Sequence, residues 1–140
     1  MPYDDELTPY ADVREPSQEE DALAHAAIGA LIEVHRVIGP GYLEQVYEEA
    51  VAVEFKLRGI LFERQVVVPV IYKGFPIGQG KMDFLVGGKL IIEIKAVDTL
   101  APVHKAQVIS YLKATGHKLA LLVNFNVTVL KEGLRRIILS

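Results

Sequence analysis

Apolar residues recur at helical spacing from Gln18 to Ile38: Leu23, Ala26, Ala27, Ala30, Leu31, Val34 and Ile38 fall on one stripe. Ser17 stands at the N-cap position with Glu20 three residues on, the layout of a capping box. Gly39-Pro40-Gly41 ends that helix and turns the chain. A second helical register, with Leu43, Val46, Tyr47, Ala50, Val51, Glu54 and Leu57 in phase, predicts a helix from about Tyr42 to Arg58. Gly59 then supplies a left-handed C-terminal cap.

The period then changes to that of strands. FERQVVVPVIY, Phe62–Tyr72, is β-branched, and Pro69 marks an edge position or a bulge. Lys73-Gly74 turns it into Ile77–Val86, and Gly87-Gly88 joins that run to Lys89–Val97. Helical spacing returns over Pro102–Thr115. KLALLVNF, Lys118–Phe125, is almost wholly apolar, as in a strand buried on both faces. A Lys131-Glu132-Gly133 turn leads to a last strand near Leu134–Leu139. The order is ααβββαββ, an α/β sandwich of helices around a mixed sheet.

At 140 residues the chain is long enough for one well-buried core. Its 51% hydrophobic and 24% charged residues are ordinary for a globular protein. With no cysteine, disulfides, thiol catalysis and cysteine-ligated metal sites are excluded. His25, His35, His104 and His117 show no zinc-binding spacing. No apolar run is of membrane-spanning length, and the acidic start lacks a signal-peptide layout, so no membrane partner and a cytoplasmic location are expected. The net charge of −3 is uneven: residues 1–21 hold eight acids against Arg14, leaving the rest mildly basic at +4. Residues 1–18, spaced by Pro2, Pro9 and Pro16, read as an acidic mobile tail, and 19–140 as a single domain. The basic balance of that domain is compatible with a polyanionic partner.

Candidate chemistry sits in KMDFLVGGKLIIEIKAV, Lys81 to Val97, where two core-like strands carry Asp83, Glu93 and Lys95. A buried carboxylate needs a cation, donors or water. Register decides whether the two acids share a site. A two-residue Gly87-Gly88 loop would pair Asp83 with Ile92 and send Glu93 and Lys95 to the opposite face. A three-residue loop with a left-handed glycine would put all three on one face, where they could share a divalent ion. The competing readings are a solvated E-x-K strand face and a metal-free buried ion pair with Lys95. On the second helix Glu44 and Tyr47 interrupt the buried stripe, and on the Pro102–Thr115 helix His104, Gln107 and Tyr111 share one. Both tyrosines also fit as core aromatics with bonded hydroxyls. A phosphate loop in Gly74–Lys81 fails on glycine spacing, on Met82 in place of Ser/Thr, and on the strand that follows.

Together these residues resemble a known family. Gly41-Tyr42-Leu43-Glu44-Gln45-Val46-Tyr47 matches the Gly-x-x-Glu-x-x-Tyr signature of the GxxExxY proteins, and the similarity runs from Ile28 to Ile138. That family resembles a compact branch of the PD-(D/E)XK nuclease superfamily. The carrying residues are Asp83, Glu93-Ile94-Lys95, Gln107-x-x-x-Tyr111 and the helical acid Glu44; Met82 stands where the superfamily's name has proline.

The resemblance implies a restriction-endonuclease-like three-layer sandwich and metal-dependent phosphodiester hydrolysis of DNA or RNA. Asp83, Glu93, the Ile94 carbonyl and Glu44 would be the ligands of Mg²⁺ or Mn²⁺. Lys95 would position or deprotonate the attacking water, or stabilise the phosphorane. Gln107, Tyr111 and Tyr47 would orient the site or the substrate. The alternative is a catalytically idle nuclease fold kept as a nucleic-acid-binding or oligomeric scaffold. The modest charge makes a homodimer or a partner protein an expectation in either case.

Overall fold

The computed structural model describes residues 16–139. Its elements are α1 (Gln18–Ile38), α2 (Glu44–Leu57), β1 (Phe62–Tyr72), β2 (Phe75–Val86), β3 (Leu90–Lys95), α3 (Pro102–Thr115), β4 (Leu119–Asn124), α4 (Leu130–Gly133) and β5 (Leu134–Ile138). The expected order is present, with one single-turn helix, α4, where a plain turn was expected. Most of the stretch read as a tail lies outside the described residues. Its end does not, because Ser17 caps α1 and Gln18 begins it.

The local signals explain the helix ends. Ser17 Oγ accepts from the Glu20 N–H at 3.1 Å, and the Glu20 carboxylate accepts from the Ser17 N–H at 2.8 Å, closing the capping box. α2 begins at Glu44 rather than Tyr42, because Tyr42 and Leu43 belong to the connection from α1. The Tyr47 hydroxyl holds that connection: it donates to the Gly39 carbonyl at 2.6 Å and accepts from the Tyr42 N–H at 3.2 Å. Its ring stacks on Phe125 with centroids 4.5 Å apart. At the other end, Gly59 is left-handed at φ 70°, with its own N–H on Lys56 and the Ile60 N–H on Phe55. This is the Schellman arrangement.

The five strands form one sheet in the order β1-β2-β3-β4-β5, in which only the β3–β4 pair is parallel and α3 makes the crossover. Two cores flank it. Ala27, Leu31, Tyr47, Phe55, Phe84, Ile92 and Leu121 pack between the sheet and α1/α2. Met82, Ile91, Val108, Leu112 and Leu122 pack between the sheet and α3. The three layers are complete, and β4 is buried along its whole length.

The β2–β3 loop settles the register. Val86 pairs with Leu90, Leu85 with Ile91 and Phe84 with Ile92, so the loop is the three residues Gly87-Gly88-Lys89. Both glycines have positive φ, 58° and 71°, and the Lys89 N–H returns to the Val86 carbonyl. A Cβ on Gly87 would also lie 2.7 Å from the Leu23 side chain. This odd-length turn places Asp83 opposite Glu93.

With Tyr47 fully buried and its hydroxyl given to the α1–α2 turn, Tyr47→Phe should cost about 1–2 kcal/mol. Thermal melts would read this as a lower Tm, with the far-ultraviolet circular dichroism spectrum unchanged.

Candidate active site at a break in the sheet

A regular strand keeps alternate residues on one face. In β1, Phe62 packs with the α1/α2 core and the Arg64 guanidinium lies 5.9 Å from the Phe84 ring centre, yet Val66 and Val68 pack with α3. β2 changes sides at the same level: Phe84 and Val86 face α1/α2, and Met82 faces α3. One residue in each strand absorbs the change. Gln65 adopts φ 52°, and Asp83, which would face it, drops out of the ladder between Arg64↔Phe84 and Val66↔Met82.

The β2–β3 ladder also stops there, after Phe84↔Ile92. Side chains take over from the backbone. Glu93 Oε2 accepts from the Asp83 N–H at 2.6 Å, and Asp83 Oδ2 accepts from the Ile94 N–H at 2.7 Å. Each carboxylate therefore reaches across to the facing strand and satisfies a donor that the parting strands leave open. The Lys95 carbonyl bonds to the Phe125 N–H on the β4 side. By the alternation of a parallel pair, the peptide groups of Ile94 turn the other way, toward Asp83.

Both acids are buried, Asp83 at 9% exposure and Glu93 at 3%. No ion pair of the described residues involves Asp83, Glu93 or Lys95. Burial, then the charge of Asp83 and more weakly that of Glu44, pushes the Glu93 carboxyl up to about 8, against the Asp83 N–H and the Lys95 charge. Asp83 is raised too, first by burial. The Ile94 N–H opposes that rise, and the Glu48 and Glu44 charges add to it.

Around this pair the outer contacts come from α2. Gln65 Nε2 donates to Asp83 Oδ1 at 3.3 Å and to Glu48 Oε1 at 2.8 Å. Glu48 and Glu49 in turn accept from Arg64 at 2.8 and 2.7 Å. The cation nearest to this acidic helix face is thus committed away from Asp83. Gln65 carried no signal in the sequence, since nothing in FERQVVVPV announces a left-handed residue. Glu48 was visible one turn beyond Glu44, and it is Glu48, through Gln65, that reaches the site.

The remaining expected residues are distributed as follows. Glu44 is exposed at the start of α2 and acts on both acids through space only. Among the described residues no group of three or more acids and histidines stands ready as a metal cluster. Tyr111 is buried beside the pair. Its hydroxyl meets the Lys81 backbone, and burial followed by the Glu93 charge raises its pKa. Gly80 makes room for it, since a Cβ there would lie 2.7 Å from Cε1 and 2.8 Å from the hydroxyl oxygen. Gln107 is exposed one turn earlier on α3, and His104 caps that helix by accepting from the Ala101 N–H at 2.9 Å. Tyr47 serves the α1–α2 turn. The structure thus brings together Asp83, Glu93, the Ile94 backbone and Tyr111, with Lys95 within electrostatic reach.

A three-layer α/β fold with an acid from each strand of its central hairpin, and a lysine two residues beyond the second acid, defines a nuclease-type domain. The chain belongs to the PD-(D/E)XK nuclease superfamily, whose family model matches residues 21–137. Among solved structures it is similar to the crystal structure of an alkaline exonuclease (LHK-Exo) from Laribacter hongkongensis. The TM-score is 0.42, at 17% identity over 93% of this chain and 74% of that one. No curated protein matches the chain in sequence. Among the described residues no helix is long and apolar enough to cross a membrane.

The raised carboxyls fix the sign of a pH effect. Glu93 contributes most to stability when protonated, below about 4.5, and that contribution is lost as pH rises through about 8. In chelator, wild type should lose on the order of 3 kcal/mol between pH 5 and 9. Glu93→Gln keeps an acceptor for the Asp83 N–H and should remove most of that loss. Melts across pH check it, and a variant less stable than wild type at pH 9 would indicate an ion pair with Lys95 instead.

Gly80→Ala should displace the Tyr111 ring, visible as a changed tyrosine ultraviolet difference spectrum at neutral pH with the fold retained.

Proposed function

We propose that the chain is a metal-dependent nuclease that hydrolyses phosphodiester bonds in DNA or RNA, as a GxxExxY-type member of its superfamily, with residues 19–140 as the catalytic domain. The observation that carries this reading is the buried Asp83–Glu93 pair with no cation of its own, placed where the sheet opens. Two carboxylates removed from water, with Lys95 acting only through space, are unfavourable unless something positive joins them.

The donor set fits Mg²⁺ or Mn²⁺, which prefer hard oxygen ligands. Asp83, Glu93 and the Ile94 carbonyl would hold the ion, and Glu44 would contribute its charge or an ion-bound water. When bound, the ion supplies Lewis-acid polarisation of the scissile phosphate and offsets charge developing on it. The protein's own groups do the remaining work. Lys95, two residues from Glu93 on the same strand face, would position the attacking water and help deprotonate it, or stabilise the pentacovalent phosphate. Gln65 fixes the Asp83 carboxylate from the side opposite Ile94. Tyr111 closes the floor against Lys81, and Gln107, exposed on the same helix, faces outward where a phosphate backbone would pass.

Calorimetric titration of Mn²⁺ into wild type and Asp83→Ala, followed by incubation with labelled single- and double-stranded DNA and RNA, tests the reading. Wild type should take up metal and cleave at least one substrate. Asp83→Ala should lose both, with cleavage down about a thousand-fold or more. Lys95→Ala should keep metal uptake and lose cleavage by about 100- to 10,000-fold. A folded wild type that takes up no metal would leave the idle scaffold as the better description.

A further inference from the structure

We infer that the far end of the β1–β2 hairpin is a self-association arm, through which two copies of this chain pair. β1 and β2 run well past the rest of the sheet, because β3 meets β2 only at Phe84, Leu85 and Val86. The root of the extension is covered by α3, against which Val66, Val68 and Met82 pack. Beyond it, every residue from Pro69 to Gln79 is exposed. A two-stranded ribbon with no third strand or helix on it is marginal in water.

This ribbon is not built for water. Val70, Ile71 and Tyr72 are consecutive, so apolar side chains emerge on both faces and no rotation offers a polar one. At the tip Tyr72 pairs with Phe75 across the tight Lys73-Gly74 turn, whose φ values are 49° and 85°. Val67, Val70, Ile71, Tyr72, Phe75 and Ile77 are each 46–69% exposed. Over both faces together they offer on the order of 700 Å², so two arms approach the about 800 Å² that each partner contributes to a standard interface only by wrapping around each other.

The chemistry of the surface selects the occupant. Residues 69–79 carry one charge, Lys73, and no acid. A single positive charge is too little for phosphate-backbone contact to hold the whole arm. An uncharged apolar surface is complementary to itself, and an isologous contact needs only that property. With the two arms antiparallel, each Lys73 lies at the far end from its counterpart, so the one charge does not repel its copy. Pro69 lacks an N–H and sits on the edge strand, which discourages open-ended edge pairing and favours a closed, mutually wrapped pair.

Sedimentation equilibrium on the full chain, without metal or nucleic acid, tests this independently of any cleavage. Wild type should show twice the 15.5 kDa chain mass at tens of micromolar. Ile71→Lys and Phe75→Lys, both outside either core, should each raise the dimer dissociation constant by about 100-fold or more while the melting transition persists. Hydrogen exchange gives the second reading: amides of residues 70–78 in wild type should gain protection as concentration rises, and should not in the variants. A wild type that stays monomeric to about 100 μM overturns the proposal, as does a dimer insensitive to both substitutions. A monomer whose arm gains protection only with an added oligonucleotide would assign the arm to nucleic acid instead.

Discussion

Two carboxylates, each bonded to the backbone of the other's strand, hold the centre of this molecule. Asp83 takes the Ile94 N–H and Glu93 takes the Asp83 N–H, so the acids replace the ladder rungs missing where β2 and β3 part. The same bonds that fix their orientation also keep them out of water. Neither can be replaced by an apolar residue without stranding a buried donor, and burial disfavours both being charged at once. The folded state therefore favours a proton on Glu93 or a positive charge beside the pair.

The break that produces this pair is shared by two strands. β1 turns over at Gln65, β2 turns over at Asp83, and β3 continues straight alongside β2. A left-handed glutamine costs on the order of 1 kcal/mol, and such strain persists only where surrounding contacts impose it. Here the contacts are visible: Gln65 spans Glu48 and Asp83, and Glu48 is held by Arg64. Helix α2 is thereby tied to the acid through side chains alone. That tie joins the acidic helix face to the acidic strand through the Gln65 amide, while Arg64 pairs with Glu48 and Glu49.

Much of this could be read from the residues. Period 3.6 located α1 and α3, Gly59 marked the end of α2, and the Gly87-Gly88 dipeptide narrowed the hairpin to two registers. Apolar neighbours on both sides of Asp83 and Glu93 pointed toward burial but left a solvated E-x-K strand face open, and the structure buries both acids. The reversal at Gln65 was not legible, because it sets Arg64 beside Phe84 on one side of the sheet and Val66 against the α3 core on the other, and neither residue shows that preference locally. Tyr47 was legible in two ways, as a site residue or as a bonded core aromatic. Its hydrogen bond to Gly39 is a property of the turn that only the folded chain displays. Glu44 kept its place on the helix, but the exit of α1 sets α2 so that Glu48, one turn on, stands nearest the site through Gln65.

β2 joins these features on one strand. Its tip carries Phe75, its middle gives Tyr111 room at Gly80, and Met82 anchors it to the α3 core. Asp83 follows, then Phe84 and Val86 cross to the other core. Because the strand is continuous through the reversal, the orientation of the outer ribbon and that of the acid are set by one stretch of backbone. Anything that bends the ribbon is resisted first at Met82 and Gly80, whose neighbours Tyr111 and Val68 are themselves packed. The α3 contact thus separates the arm from the carboxylates mechanically while keeping them in one element. A free apolar arm and a tightly held acid can in this way lie only a few residues apart.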